Sequence, residues 1–268
     1  MQSSFKIGVD LGGTKIATIV LDRHASVVFE SRSPTPKADY EQVIGSIVKQ
    51  VDEARTYCPS TATIGIGIPG SQSPETGLIQ NANSTWMNGR NFSKDIARAL
   101  GQQIKIANDA NCFALSEALD GAAKGANTVF GVIIGTGCGG GLVANGKLVT
   151  GRHAIGGEWG HTPLPWPGES EIPAPRCWCG RNGCLETWVS GSGMERDCRA
   201  TTSNNLSAET ISQKALNGDS TCQKILKNHC DRLARGLAMI TNIIDPDVIV
   251  LGGGLSNMDH LYDQLPAR

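Results

Sequence analysis

The residues best suited to chemistry lie between Glu158 and Glu186, in EWGH, a Pro-rich loop and CWCGRNGCLE. His161, Cys177, Cys179 and Cys184 supply one imidazole and three thiols at CxC and CxxxxC spacing, and Gly180 and Gly183 let a short loop fold round a point. One nitrogen and three sulfurs make a tetrahedral zinc set. Four protein ligands leave no position open for a catalytic water, so the metal expected here is structural and locks a loop that cannot pack itself. A disulfide or free buried thiols are the alternative, and reduced thiols in a chain with no mark of secretion favour zinc. Glu158 and Glu186 flank the cluster, so the same loop would hold two acceptor-only carboxylates near one place, as a grip on sugar hydroxyls requires. Two solvated surface glutamates are the competing reading.

Other chemistry sits at strand ends. QIKIANDANCFALSEAL reads as a strand, then Asn108 and Asp109, then a helix, which puts a carboxylate at the carboxyl end of a strand where open α/β sheets place ligands. Asp109 is a candidate general base, with a helix N-cap as its other reading. Phe5 to Asp10 and IATIVL form a hairpin closed by Gly12 and Gly13. The open N–H groups of that turn, with Thr14 and Lys15, could cradle phosphate, and Asp10 could face a divalent metal; a plain hairpin is the alternative. The order GGTK followed by a strand excludes a P-loop. A second Gly-rich turn lies in VFGVIIGTGCGGGLVANGKLVTG, where Gly135, Gly137 and Gly140 match GxGxxG. No helix follows, and an Asn-Gly hairpin does, so a dinucleotide site is rejected in favour of a second phosphate turn presenting Thr136 and Gly137. Using one device twice implies a duplicated, two-lobed architecture that holds a nucleotide. DVIVLGGG ends a strand on three glycines that admit either a flat group such as a base or only a tight turn. Asn83, in GLIQNANSTWMNG, is an amide that suits a sugar, although Asn-rich loops are more often turns.

The scaffold for these groups is a run of alternating strands and helices. Apolar positions from Ala38 through Tyr40, Val43, Ile44, Ile47, Val48 and Val51 predict a helix ending before Pro59, TATIGIGIPGS predicts a strand into a Pro-Gly turn, and Ser93 is placed as the cap of a short helix that Gly101 ends. Cys222 to Ile244 predicts a long helix; Ser190 to Gly218 reads as polar helical pieces carrying no functional signal. With 268 residues the chain has length for two lobes, and Lys+Arg 24 against Asp+Glu 25 gives a net charge of -1, with no electrostatic footprint for nucleic acid or an anionic membrane. The start MQSSFKIGVD carries no leader pattern and no apolar run approaches about 20 residues, so a cytoplasmic location is expected. The other cysteines, Cys58, Cys112, Cys138, Cys198, Cys222 and Cys230, lack ligand spacing and read as ordinary thiols.

With DLGGTK, IGTGCGGG, EWGH and CxCGxxGCxE in that order, the sequence resembles the ROK sugar kinases of the actin-like ATPase superfamily from Phe5 to its end. GIPGSQSPETGLIQNANSTW, NDANCFALSEA and EWGHTPLPW look most like the bacterial fructokinases, or manno(fructo)kinases, with the N-acetylglucosamine kinase branch next. The resemblance implies a two-lobed α/β fold of the ribonuclease H-like, actin-like ATPase type, with an N-terminal small lobe over 1–117 and a large lobe with the zinc motif over 118–268. It implies ATP-dependent phosphorylation of fructose to fructose 6-phosphate, with N-acetylglucosamine, mannose or glucose as alternative substrates. Asp109 would be the base. Asn83, Asn108, Asp109, Glu158, His161 and Glu186 would hold the hexose, His161 also ligating zinc through its other nitrogen. Asp10, Gly12, Gly13, Thr14, Lys15, Thr136, Gly137, Gly253 and Gly254 would bind ATP, with Asp10 near Mg²⁺. A homodimer is expected, and a family strand and helix would follow Arg268. Family members that repress transcription carry an N-terminal DNA-binding domain, for which Phe5 leaves no room ahead of the first strand, so regulation is the minor reading.

Overall fold

A computed structural model describes residues 5–37 and 39–268; Ala38, expected to open the first helix, and the first residues of the expected small lobe lie outside the described residues. One compact unit runs to Cys112 and includes Gly151–Ile155, and a second comprises Phe113–Thr150 and Gly156–Arg268.

In chain order the first unit carries β1 (Lys6–Leu11), β2 (Lys15–Leu21), β3 (Val27–Pro34), α1 (Tyr40–Arg55), β4 (Thr63–Ile68), the short strands β5 (Ser71–Gln72) and β6 (Ile79–Gln80), α2 (Phe92–Leu100), β7 (Ile104–Asn108) and the start of α3 (Asp109–Leu119). Its main sheet has the order β3-β2-β1-β4-β7, antiparallel across β3, β2 and β1 and parallel across β1, β4 and β7. Alternation puts Ile7, Val9 and Leu11 of β1 in the core and leaves Lys6 and Asp10 on the open face. On α1 the buried positions Tyr40, Val43, Ile44, Ile47, Val51 and Ala54 recur at helical spacing, and Asp39 caps the helix by accepting from Gln42 N. Gln50 is buried on the same face and fully paired: it accepts from Thr18 Oγ1 at 2.6 Å and donates to Ser33 Oγ at 2.6 Å. The cap of α2 is Asn91, which accepts from Lys94 N, and not the expected Ser93, which lies inside the first turn; Gly101 ends the helix in the left-handed conformation as expected.

The second unit continues with β8 (Thr128–Ile134), β9 (Cys138–Ala144), β10 (Lys147–Leu148), α4 (Glu186–Val189), α5 (Gly191–Thr202), α6 (Ala208–Leu216), α7 (Ser220–Ile244), β11 (Val248–Gly252) and α8 (His260–Gln264). Its sheet has the order β10-β9-β8-β11, with β8 and β9 an antiparallel hairpin and β11 parallel to β8. The hairpin-plus-parallel-strand arrangement of β2, β1 and β4 thus recurs in β9, β8 and β11. Asn145 and Gly146 both take positive φ, 53° and 68°, as the expected Asn-Gly hairpin turn between β9 and β10 requires.

A buried ionic cluster ties the Pro-rich loop to α7. Arg232 Nε donates to Glu171 Oε1 at 2.7 Å, Arg235 grips both oxygens of the same carboxylate at 2.7 and 3.0 Å, and Arg232 also meets Asp197. Arg235 further donates to the carbonyls of Pro165 and Trp166 at 2.9 and 2.7 Å. Trp188 lies between Arg196 and Arg232, 4.7 and 4.5 Å from its ring centroid. Burial pushes the Glu171 carboxyl up, but Arg235 and Arg232, with the Gly168 N–H, more than offset it and bring the pKa down to about 2. An acid whose pKa is depressed by folding stabilises the fold above its unfolded pKa of about 4.3 and loses that contribution as pH falls towards the folded value. Glu171→Gln is therefore expected to cost about 3–5 kcal/mol at neutral pH by leaving two buried guanidiniums short of charge, read by denaturant unfolding, and the gap from wild type should narrow as the pH is lowered from 5 to 2. An equal gap at both ends of that range would exclude the charge as its source.

Candidate active site

In the first unit Asp10 lies near the carboxyl end of β1, and Asn108 and Asp109 at the carboxyl end of β7, with Asp10 close enough to Asp109 for their charges to interact. Asn108 Nδ2 donates to Gly70 O at 3.0 Å and to Asp109 Oδ1 at 3.1 Å, while its Oδ1 accepts from Asn111 N at 3.1 Å. Asn108 thus does the capping that Asp109 was also eligible for. Ala110 N adds a bond to Asp109 Oδ1 at 2.8 Å, and the backbone N–H of Asp109 itself also bonds to the carboxylate. Burial raises the Asp109 pKa, the Ala110 N–H opposes it, and the charge of Asp10 raises it further. Asp10 is itself raised by the protein mass around it, with Lys15 pulling it back, although its tip is open to solvent. Two nearby carboxylates that repel one another fit a divalent cation bound at Asp10. Asn83 is exposed on its own loop, with no bond to these groups.

The turn from Gly12 to Lys15 is closed by Gly12 N donating to Lys15 O at 2.9 Å, and Gly13, Thr14 and Lys15 are exposed. Thr35 braces it from outside: its Oγ1 donates to Gly12 O at 2.7 Å and its N–H to Thr14 O at 3.0 Å. Sequence reasoning missed Thr35, which is distant along the chain and carries no motif.

In the second unit Thr136 and Gly137 lie in the turn between β8 and β9, and Gly253 and Gly254 follow the end of the neighbouring β11. Gly253 has φ 84°, and a Cβ there would stand 2.5 Å from Ile134 O, so only glycine lets this strand end lie against the turn. Residues previously read as carrying no signal hold the turn in shape: Gly191 N donates to Gly135 O at 2.7 Å and Ser192 Oγ to Thr136 O at 2.9 Å. The Ser-Gly-Ser-Gly run at 190–193 was the available clue. EWGH packs on the strand that leaves the turn, with Trp159 Nε1 donating to Gly139 O at 2.9 Å and Gly160 seated against the Cys138 carbonyl.

The Cys/His loop closes as its spacing implies. The donor atoms of His161, Cys177, Cys179 and Cys184 all lie within 4.8 Å of one another, with His161 Nδ1 and Cys177 Sγ 3.6 Å apart and Cys179 and Cys184 Sγ 3.5 Å apart. Tetrahedral zinc with bonds of about 2.0–2.3 Å holds its donors about 3.5–3.8 Å apart, so the cluster fits the ion with little movement. Nδ1 is the His161 atom facing the sulfurs, which leaves Nε2 for a ligand. Glu186 begins α4 directly after the loop; its Oε2 accepts from Cys138 N at 3.0 Å and its Oε1 from Trp178 Nε1 at 2.7 Å. Cys138 and Trp178 were not among the expected site residues.

The model of the ROK family matches residues 6–268. The chain belongs to the ROK family. Its α/β fold is that of the actin-like ATPase sugar kinases. The ROK hexokinase of Thermus thermophilus superposes with a TM-score of 0.84 at 30% identity, covering 98% of this chain and 87% of that one. A ROK glucokinase from Streptomyces griseus, solved with glucose and AMPPNP, gives a TM-score of 0.80 at 26% identity over 98% of this chain and 88% of that one. In sequence, the chain is 39% identical over 265 residues to the N-acetyl-D-glucosamine kinase of Yersinia enterocolitica, covering 97% of this chain and 88% of that protein. The enzyme of the same name from Pasteurella multocida is 38% identical over 266 residues, again 97% and 88% of the two chains.

The electrostatics of Asp109 in this ROK chain give a two-part expectation. A carboxyl whose pKa is raised by folding favours the fold in its protonated form, and that contribution is lost as pH rises through the folded pKa. Asp109→Asn keeps an oxygen at the Oδ1 position for Ala110 and Asn108 and removes the charge. It should therefore unfold at a temperature equal to or above wild type at pH 7 while losing at least about 10²-fold in turnover. A melting temperature several degrees below wild type would contradict the charge assignment.

Proposed function

We propose that this ROK chain is an ATP-dependent hexose kinase with N-acetyl-D-glucosamine as its preferred sugar. The observation that carries the choice of sugar is the 38–39% identity to N-acetyl-D-glucosamine kinases sustained over 97% of the chain. That outweighs the short segments which pointed to fructokinases. Fructose stays as the second reading, on the strength of GIPGSQSPETGLIQNANSTW and EWGHTPLPW.

In this reading Asp109 is the general base. Its Oδ2 accepts the proton of a sugar hydroxyl as that oxygen bonds to the γ-phosphorus and the bond from phosphorus to the ADP oxygen breaks. Burial raises the pKa of this carboxyl, which makes it a better proton acceptor than an unperturbed aspartate. Asn108 orients Asp109 through the bond to Oδ1. Asn83, Asn108, Glu158, His161 and Glu186 hold the hexose, His161 through Nε2. The turns at Gly12–Lys15 and Thr136–Gly137 offer N–H groups and hydroxyls to the phosphates of ATP, with Gly253 and Gly254 leaving room for its adenosine. Asp10 would hold Mg²⁺, whose charge neutralises the phosphate oxygens when it is bound. His161, Cys177, Cys179 and Cys184 would hold Zn²⁺, which fixes the loop bearing Glu186 and does no chemistry itself.

ADP release measured with Mg-ATP against N-acetylglucosamine, fructose, mannose and glucose tests the proposal. N-acetylglucosamine should lead in kcat/KM by about tenfold or more, since one or two pocket contacts at ~1–3 kcal/mol separate these sugars. Fructose in front would select the second reading, and no turnover with any sugar would end the kinase reading. Separately, Cys177→Ser is expected to lower zinc content, measured by elemental analysis, and to lower the melting temperature; wild-type metal content and melting would remove the zinc assignment.

A further inference from the structure

We propose that Trp178 is a positioning residue of the hexose site, acting through Glu186 and His161; this rests on the kinase reading above. Trp178 is the residue between Cys177 and Cys179, and at 49% exposure it adds little to the buried core. A large aromatic left that open is placed for what it touches. Its Nε1–H donates to Glu186 Oε1 at 2.7 Å, and its ring stands edge-on to His161, centroids 4.9 Å apart at 81°. The first contact is a charge-assisted hydrogen bond at the short end of its range.

The effect on Glu186 follows from lone-pair geometry. A glutamate carboxylate rotates freely about its last torsion unless both oxygens are held. Here Cys138 N–H holds Oε2 and the indole holds Oε1, which fixes the plane. Cys177 Sγ also lies 4.0 Å from Oε1, and the acceptor positions left on the fixed carboxylate keep set directions, suited to a hydroxyl. The edge of the same indole limits the tilt of the His161 ring, whose Nδ1 faces the sulfurs, and so sets where Nε2 points. One side chain thus sets two of the groups expected to hold the sugar.

Three variants separate the contributions. Trp178→Phe keeps a ring beside His161 and removes the N–H; Trp178→His keeps a ring N–H that can donate; Trp178→Ala removes both contacts. Hexose affinity is measured by calorimetry without ATP and as KM, alongside KM for Mg-ATP and zinc content. The Phe variant should bind hexose about tenfold more weakly with KM for Mg-ATP and zinc unchanged, the His variant should fall nearer wild type, and the Ala variant should be weakest. Hexose affinity equal to wild type in both Phe and Ala variants would overturn the proposal. So would joint loss of zinc and hexose affinity in all three, which would make Trp178 part of the metal loop's stability only. Wild-type protein that binds no hexose would instead fell the kinase reading, and this proposal with it.

Discussion

Much of the second unit's site depends on one carboxylate held at both oxygens. Glu186 receives an N–H from the strand that leaves the β8–β9 turn and another from the Cys/His loop. The turn and the loop are distant in sequence, and this group is where each limits the other. The crowding is close enough that a Cβ on Gly137 would come within 2.8 Å of Glu186 Oε2. Hence a side chain at position 137 would displace the carboxylate from where it is held. The Cys/His loop, whose four donor atoms lie within 4.8 Å of one another, carries Glu186 directly after its last cysteine.

The first unit works by a different balance. Asp109 is placed where folding disfavours its charge, through burial and the nearby Asp10, while the Ala110 N–H, its own backbone N–H and the Asn108 amide partly offset this. That cost is borne by the surrounding core, in which Ile66, Ile68 and Ile96 are almost completely buried. A site in which two carboxylates repel one another is unfavourable as a resting arrangement and suited to binding a cation and accepting a proton. The Glu171 cluster of the second unit shows the opposite use of charge: buried, paired with two guanidiniums and brought down to a pKa of about 2.

What was legible in the sequence follows the range over which each signal acts. Hairpins, helix caps and the Cys/His loop are local, and the strand turns at Gly12–Lys15 and Gly135–Gly137 lie where alternation and glycine placed them. The strand β3 was not read because its half-buried face carries Phe29, Ser31 and Ser33, so its alternation is not a hydrophobic one. Ser93 was preferred to Asn91 as a cap because both types cap well, and only the geometry of the first turn separates them. The braces at Thr35, Ser192 and Trp178, and the Arg232–Glu171–Arg235 cluster, join residues far apart in the chain. No spacing rule reports such pairs.

Substrate choice is the hardest property to read for a related reason. In the proposed reading, DLGGTK, NDAN, EWGH and the Cys/His motif would serve the shared work of hexose kinases: holding phosphate, accepting a proton and gripping hydroxyls that fructose, glucose and N-acetylglucosamine all present. Residues that perform shared chemistry cannot distinguish the sugars. Discrimination rests on the few side chains that meet the groups in which the sugars differ, and a single added or missing contact is worth only about 1–3 kcal/mol. Such residues are scattered and bear no motif, so they register in similarity over the whole chain and not in any short segment. That is why 38–39% identity across 97% of the chain is a better guide to the sugar than three short runs of matching residues, and why the two pointed to different branches of one family.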